Sequence, residues 1–238
     1  DFIRRAVERY NKQRSYPPKR IIVYRGGATY NQLKKIKQEE VKAITDIIDS
    51  SISLVYIIVQ TNNNFKFTMI NNSAKSQNQN SSENKTISGE DDNFDCPKAG
   101  TVVTENINAY GIPEFYLVSN EICNANNSDD LESLSLLDFH QLSLTKTEKS
   151  AIFNNKAGVR KAMVTPTKYT IIHHFPAVWV DEQLAMLTHY LTCEYPNWQG
   201  SIRIPCPLML ASKLAELSRS CLNSQKPNES LSDCLHFI

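Results

Sequence analysis

The chain has 238 residues, 41% of them hydrophobic and 21% charged, which suits one large globular domain or two small ones and excludes a collagenous or wholly disordered protein. Its longest apolar runs, such as Ser53–Val59 (SLVYIIV), fall far short of the ~20 residues that cross a bilayer. Lys and Arg number 26 against 25 Asp and Glu, a net charge of +1. No global basicity marks a nucleic-acid binder, so any site for a polyanion must be local.

Phe2, Ile3, Ala6, Val7 and Tyr10 recur at helical spacing, and Pro17-Pro18 ends that helix. Arg20–Tyr24 is a short apolar run stopping at Gly26-Gly27, which predicts a strand buried on both faces with a loop at its carboxyl end. Leu33, Ile36, Ile44, Ile47 and Ile48 mark a second amphipathic helix, and Ser53–Val59 a second buried strand. Strand, helix, strand at this length is a βαβ unit and implies parallel pairing. From Thr61 to about Asp95 the chain turns polar and Asn-rich, a composition that cannot bury a core and predicts a long mobile loop. Strands follow at Thr101–Ile107 and Glu114–Ser119, joined by a turn at Gly111 and Pro113. Residues 124 to about 162 form a second interruption, with a short helix around Leu131–Leu142. Lys168–His174 reads as a strand, and about Asp181–Tyr195 and Pro207–Cys221 as helices. Pro207 suits a first helical turn, where its missing N–H costs nothing.

Six cysteines (96, 123, 193, 206, 221, 234) contain no C-x-x-C pair, so zinc-ribbon and thioredoxin-like motifs are absent. The opening Asp1–Arg5 lacks the apolar core of a signal peptide, and the five N-x-S/T sequons reflect asparagine content. The expected compartment is reducing and intracellular. A first residue other than Met predicts a piece of a longer gene product.

Each candidate site has a plainer reading. Gly26-Gly27 after a strand fits neither phosphate-binding glycine pattern and reads as a turn. His189 and Cys193 stand four apart on a helix, with His173-His174 on a strand, but match no closed zinc spacing. Cys206 and Ser212 are conceivable nucleophiles without a base tied to them by spacing. Asp91-Asp92 lie in the polar stretch as solvated carboxylates. Arg203, Lys213 and Arg219 gather near the last strand–helix junction, after Asn197 and Trp198, and read as a solvated face unless a second feature marks an anion site. From residue chemistry alone no active site stands out.

Several segments together resemble the Argonaute and Piwi family. Arg20–Leu33 (RIIVYRGGATYNQL) is similar to the PIWI-domain motif RIIVYRDG-x3-x-QL. Thr101-Val102-Val103 after Gly100, and Glu114–Ser119 (EFYLVS), resemble the family's GTV and DFYLVS. Thr165–Tyr169 (TPTKY) resembles SPTHY, and Asp181–Tyr190 (DEQLAMLTHY) resembles DxLQxLTYxL. Tyr195–Pro207 (YPNWQGSIRIPCP) is similar to the Piwi clade's YxNWxGxIRVPAP, Ala211–Leu217 (ASKLAEL) to AHKLAFL, and Leu231–Ile238 to LSNRLYYL. The matches are collinear over residues 1–238. The chain is identified as the C-terminal part of a Piwi-clade PIWI domain, with insertions at about 68–97 and 124–162.

The resemblance implies an α/β fold, an RNase H-like mixed sheet with flanking helices. It also implies a slicer site in which a carboxylate cluster with a fourth acidic or histidine ligand holds two Mg²⁺ ions. The family's Asp after YR falls on Gly26, and the His of AHKLA falls on Ser212. Glycine has no ligand atom and a neutral serine is a poor Mg²⁺ ligand, so no slicing is expected and no catalytic metal. RNA binding is expected to survive, through Lys213 and the carboxylate of Ile238 at the guide 5′-phosphate, with Mg²⁺ able to join there, and through Asn197 and Arg203 along the guide backbone. The family's basic KR-x2-TRFF stretch corresponds to Gln60–Phe67 (QTNNNFKF), where only Lys66 is positive, which predicts fewer phosphate contacts and a shallower salt dependence.

The expected function is therefore small-RNA-guided silencing without slicing. The expected partners are guide RNA, target RNA, upstream MID and PAZ domains and recruited silencing proteins, in the cytoplasm or nucleus and not on a membrane. Two rival expectations are a Mg²⁺-dependent endoribonuclease drawing ligands from Asp91, Asp92 or Asp95, and a decayed fragment acting only as a scaffold.

Overall fold

The computed structural model describes residues 2–70, 94–104, 111–120, 164–175 and 181–221. In chain order these form α1 (Phe2–Arg14), β1 (Arg20–Gly26), α2 (Tyr30–Ile36), a π-helical turn at Lys37–Val41, α3 (Lys42–Thr45) and β2 (Ser53–Gln60). Next come β3 (Met69–Ile70), β4 (Phe94–Asp95), β5 (Thr101–Val103), β6 (Glu114–Val118) and β7 (Thr167–Phe175). Two helices close the series, α4 (Asp181–Cys193) and α5 (Cys206–Cys221). The chain divides into two compact units. One comprises Asp1–Lys66, Lys98–Asn120 and Thr165–Ile238, the other Phe67–Pro97 and Glu121–Val164.

The first unit carries a mixed five-stranded sheet in the order β1-β2-β7-β6-β5. β1 and β2 run parallel, in register from Arg20 opposite Ser53 to Gly26 opposite Val59. The remaining pairings are antiparallel. The parallel pair bears out the βαβ reading, because a helical crossover returns the chain to the same end of the sheet.

Side-chain alternation along β2 sorts two cores. Val55, Ile57 and Val59 face one side with Phe115, Leu117, Tyr169 and Ile171, under α4 and α5 through Leu184, Leu208 and Met209. Leu54, Tyr56 and Ile58 face the other side with Ile172, under α2 and the π-helical turn through Leu33, Ile36 and Val41. Successive residues of a strand point to opposite faces, so one apolar run serves both cores. Phe115 and Tyr169, opposite one another on β6 and β7, stack at 4.8 Å and 8° on the α4–α5 side.

Several sequence expectations need correction. β1 is half-buried rather than buried on both faces, because within the described sheet only β2 pairs with it. The second amphipathic helix is interrupted at Lys37–Val41 and stops at Thr45, so Ile47 and Ile48 lie beyond it and Ile47 is exposed. The strand from Thr101 stops at Val103, before Thr104, and Ile107 lies outside the described residues. A regular run of apolar residues reports which face is covered, and not whether the backbone ladder continues. β6, β7, α4 and α5 fall within two residues of their expected bounds.

In the second unit, the polar stretch contains the antiparallel pair β3–β4, Met69 opposite Asp95 and Ile70 opposite Phe94. Phe67 and Val164 exchange backbone hydrogen bonds of 2.9 and 3.0 Å. The helix expected around Leu131–Leu142 lies outside the described residues.

Candidate functional site

At the carboxyl ends of β1 and β2 the chain leaves a cleft of about 410 Å³. Its near side is Gly26, Gly27, Ala28 and Thr29, followed by Gln32 on α2. Val59, Gln60, Thr61 and Asn62 line a second side, and Ile204, Leu208 and Ser212 the third. The end of a parallel strand pair is where α/β sheets leave a crevice, since the chain must turn away from the strand before the next helix. Gly26 and Ser212, 186 positions apart in the chain (212 less 26), thus share one cleft.

The turn is braced from several directions. Gly27 sits at φ +56°, a conformation side chains resist, and its N–H donates to Val59 O at 2.9 Å. Gly26 has no such constraint: a Cβ there would meet Leu208 at 3.5 Å, ordinary contact. Arg25 Nη1 donates to the carbonyls of Gly26 and Gly27. Its Nε and Nη2 grip the Glu40 carboxylate at 3.4 and 3.2 Å. The Tyr56 hydroxyl donates to Glu40 at 2.5 Å. Glu40 lies within the π-helical turn, whose extra residue shifts the helix face presented to the sheet. Partial burial works against the Glu40 charge, and the Tyr56 hydroxyl and Arg25 guanidinium outweigh it, holding the carboxyl below its usual range. Burial and then the Glu40 carboxylate push the Tyr56 phenol well up. The Gln60 side-chain amide donates to Ala28 O, closing the turn against β2.

On the α2 side of the sheet, at the same end, a second polar cluster is sealed. Lys168 Nζ lies 2.9 Å from Glu114 Oε2, with side chains only 7% and 2% exposed. The Tyr30 hydroxyl donates to Glu114 at 2.9 Å and accepts from Lys168. The Tyr116 hydroxyl donates to the other Glu114 oxygen at 3.3 Å. The Lys168 ammonium also sits 4.5 Å from the Tyr30 ring centre and 5.6 Å from that of Tyr116. Burial pulls the Lys168 pKa down, but the hydrogen bonds to Tyr30 and Glu114 and the Glu114 charge carry it above the ordinary lysine value. Tyr30 opens α2, directly after Thr29 of the cleft, so this buried pair anchors one cleft wall. Sequence reasoning placed Glu114 and Lys168 only within the motif matches EFYLVS and TPTKY. Their opposite charges were the one signal that they meet.

The remaining sequence-derived positions are dispersed. Arg203 Nη2 donates to Thr61 O at 3.1 Å, and the Arg203 carbonyl accepts from Thr167 Oγ1 at 2.9 Å. The side chain therefore ties the end of β2 to the segment before α5. Asn197 is exposed in a turn. Beside it Trp198 packs on the core, and Gly200 is held bare because a Cβ would come within 2.9 Å of the indole nitrogen. Lys213 is half-buried on α5, 3.9 Å from Glu216. Ile238 lies outside the described residues.

The described lining of the cleft does not fit a pair of Mg²⁺ ions. None of its described residues is a carboxylate or an imidazole, the side chains that hold and neutralise such hard cations. The Ser212 hydroxyl donates to Leu208 O at 2.9 Å within its own helix. Among the described residues no group of three or more His, Cys, Asp or Glu is placed to hold a metal, His189 and Cys193 included. Nor is any described helix long and apolar enough to cross a membrane.

A mixed sheet flanked by helices on both faces, with a cleft at its parallel strand ends, defines an α/β protein of RNase H-like architecture. The model of the Piwi domain matches residues 1–125, and that of the RNaseH domain of pPIWI_RE matches residues 126–217. The chain belongs to the Piwi family. It is 26% identical over 238 residues to Piwi-like protein Ago3 of Bombyx mori, covering 98% of this chain and 19% of that protein. Over 97 residues it is 33% identical to Piwi-like protein 1 of Gallus gallus, covering 41% and 11%. Among solved structures it resembles Drosophila Piwi (TM-score 0.63, 21% identity, all of this chain and 25% of that one). It also resembles Kluyveromyces polysporus Argonaute with a guide RNA (TM-score 0.64, 13% identity, 99% and 24%). At those identities the structures speak for the fold, and they bear out the expected RNase H-like class. The chain spans about a fifth of the length of curated relatives that match nearly all of it.

Proposed function

We propose that this chain is the PIWI portion of a small-RNA-guided silencing protein that binds guide and target RNA without cutting. The observation that carries this reading is the neutral cleft. Gly26 and Ser212 stand together where the resemblance expects an Asp and a His, and the surrounding side chains are amides, hydroxyls and aliphatics. Phosphate binding needs donors and cations rather than catalytic carboxylates, so losing the cutting chemistry leaves binding intact. Under the same reading Lys213, Arg203, Asn197 and the Ile238 carboxylate contact the guide, with Mg²⁺ at the 5′-phosphate as the sole metal. MID and PAZ domains and recruited silencing proteins complete the assembly, in the cytoplasm.

The test is made on the intact protein isolated from its source cells. Bound RNA is extracted and sequenced, and a target complementary to the recovered guide is then offered with Mg²⁺ or Mn²⁺. The expected result is a discrete small-RNA size class and an uncut target. Metal-dependent cleavage opposite the guide would overturn the loss of slicing, and the absence of any small-RNA class would overturn guidance itself.

A further inference from the structure

The loop that leaves β2 runs from the cleft to an exposed aromatic ring. Thr61 and Asn62 line the cleft. Three residues on, Phe65 is 43% exposed, although a solvent-facing phenylalanine in a polar Asn-rich loop gains nothing from burial. The loop is nonetheless built to hold that ring in place. Arg203 fixes the Thr61 carbonyl. Asn63 is used twice, its amide donating to Pro166 O at 2.7 Å and its oxygen accepting from the Phe65 N–H at 3.1 Å. Lys66 Nζ donates to the Thr165 hydroxyl.

Beneath the ring the support is equally firm. Phe65 meets Tyr116 edge-on at 5.0 Å and 70°. Tyr116 is fully buried and bound through its hydroxyl to Glu114, with the Lys168 ammonium over its face. An exposed ring is thus seated on a buried, charge-anchored aromatic, on a loop fixed by four hydrogen bonds. Such preorganisation lowers the entropic cost of stacking a flat ligand on it.

We propose that Phe65 is a stacking contact for an unpaired nucleobase of RNA held along the cleft. This contact would substitute for charge in a stretch where the family pattern is basic and this chain keeps only Lys66. Base–aromatic stacking is sequence-tolerant and independent of counterion release. The inference rests on the RNA-binding reading above and adds a named contact to it.

The experiment measures affinity of the intact protein, freed of its own RNA, for a fluorescently labelled single-stranded oligoribonucleotide at a series of salt concentrations. Phe65→Ala and Phe65→Leu are expected to weaken binding about 5- to 150-fold, with Phe65→Trp near wild type. The slope of log affinity against log salt should not change, because no cation is lost. An abasic nucleotide walked along the probe should, at one position, abolish the difference between wild type and Phe65→Ala. That readout is blind to a general loosening of the fold. Equal binding by wild type, Phe65→Ala and Phe65→Leu would overturn the stacking contact while leaving RNA binding standing. No binding by the wild-type protein would overturn both.

Discussion

Gly26 and Lys168 flank the same strand end, opposite Val59 and Gln60 of β2, yet their surroundings are opposites. Around Gly26 the cleft is open and its described lining uncharged. Around Lys168 a full ion pair is shut inside the sheet and α2 with three tyrosine and carboxylate hydrogen bonds around it. Among the described residues, charge at this end of the molecule holds the frame and does not line the cleft.

The contrast makes the frame the costliest place to cut. Lys168→Met should remove about 3–5 kcal/mol of stability, since it leaves the Glu114 charge buried without its partner. Adding Glu114→Leu should recover most of that loss, and denaturant unfolding of the single and double variants measures both. Additive losses would mean that the two groups act independently.

The Arg25–Glu40–Tyr56 brace is more exposed at Glu40, with 41% of that side chain accessible, so its contribution is smaller. Tyr56→Phe should cost about 1–2 kcal/mol, the worth of one charge-assisted hydrogen bond. The sign of the pH dependence follows from Glu40. Its folded pKa lies below the ordinary 4.5, so its stabilisation is complete above that value and is lost as pH falls through the folded pKa. Melting curves from neutral pH down to pH 3 should show a steeper acid decline for wild type than for Tyr56→Phe.

The glycine pair separates the two regions most finely. Gly27→Ala should cost about 1–2 kcal/mol, because its φ of +56° is left-handed. Gly26→Ala should shift stability by less than about 0.5 kcal/mol, having an ordinary φ and room for a Cβ in van der Waals contact with Leu208. Similar losses at both positions would mean that Gly26 is kept for packing, whereas the expected difference would mean that space at Gly26 does not exclude a side chain.

Much of this was legible along the chain. The continuous apolar run Ser53–Val59 announced a buried strand, and β2 feeds two separate cores. The pairing of β1 with β2 followed from their spacing and the helix between them. The positions standing at Gly26 and Ser212 were found through motifs, although nothing in their own chemistry marked them. The π-helical turn at Lys37–Val41 had no signature, since LKKIKQEEVKAI reads as ordinary helix. Its cause is tertiary: Glu40 is drawn to Arg25 and Tyr56 from two different strands. Phe65 looked like one more residue of a polar loop, because the ring that supports it, Tyr116, lies 51 residues away (116 less 65).

The amino-acid sequence by itself determined the elements, their two-faced burial and the neutrality of the residues at the strand ends, because periodicity and residue chemistry are local properties. Only the tertiary structure decided that Gly26 and Ser212 share a cleft, that Glu114 and Lys168 neutralise one another, and that Phe65 stands braced and bare. Those are distances between residues far apart in the chain, set by how a five-stranded sheet and its helices close on two cores.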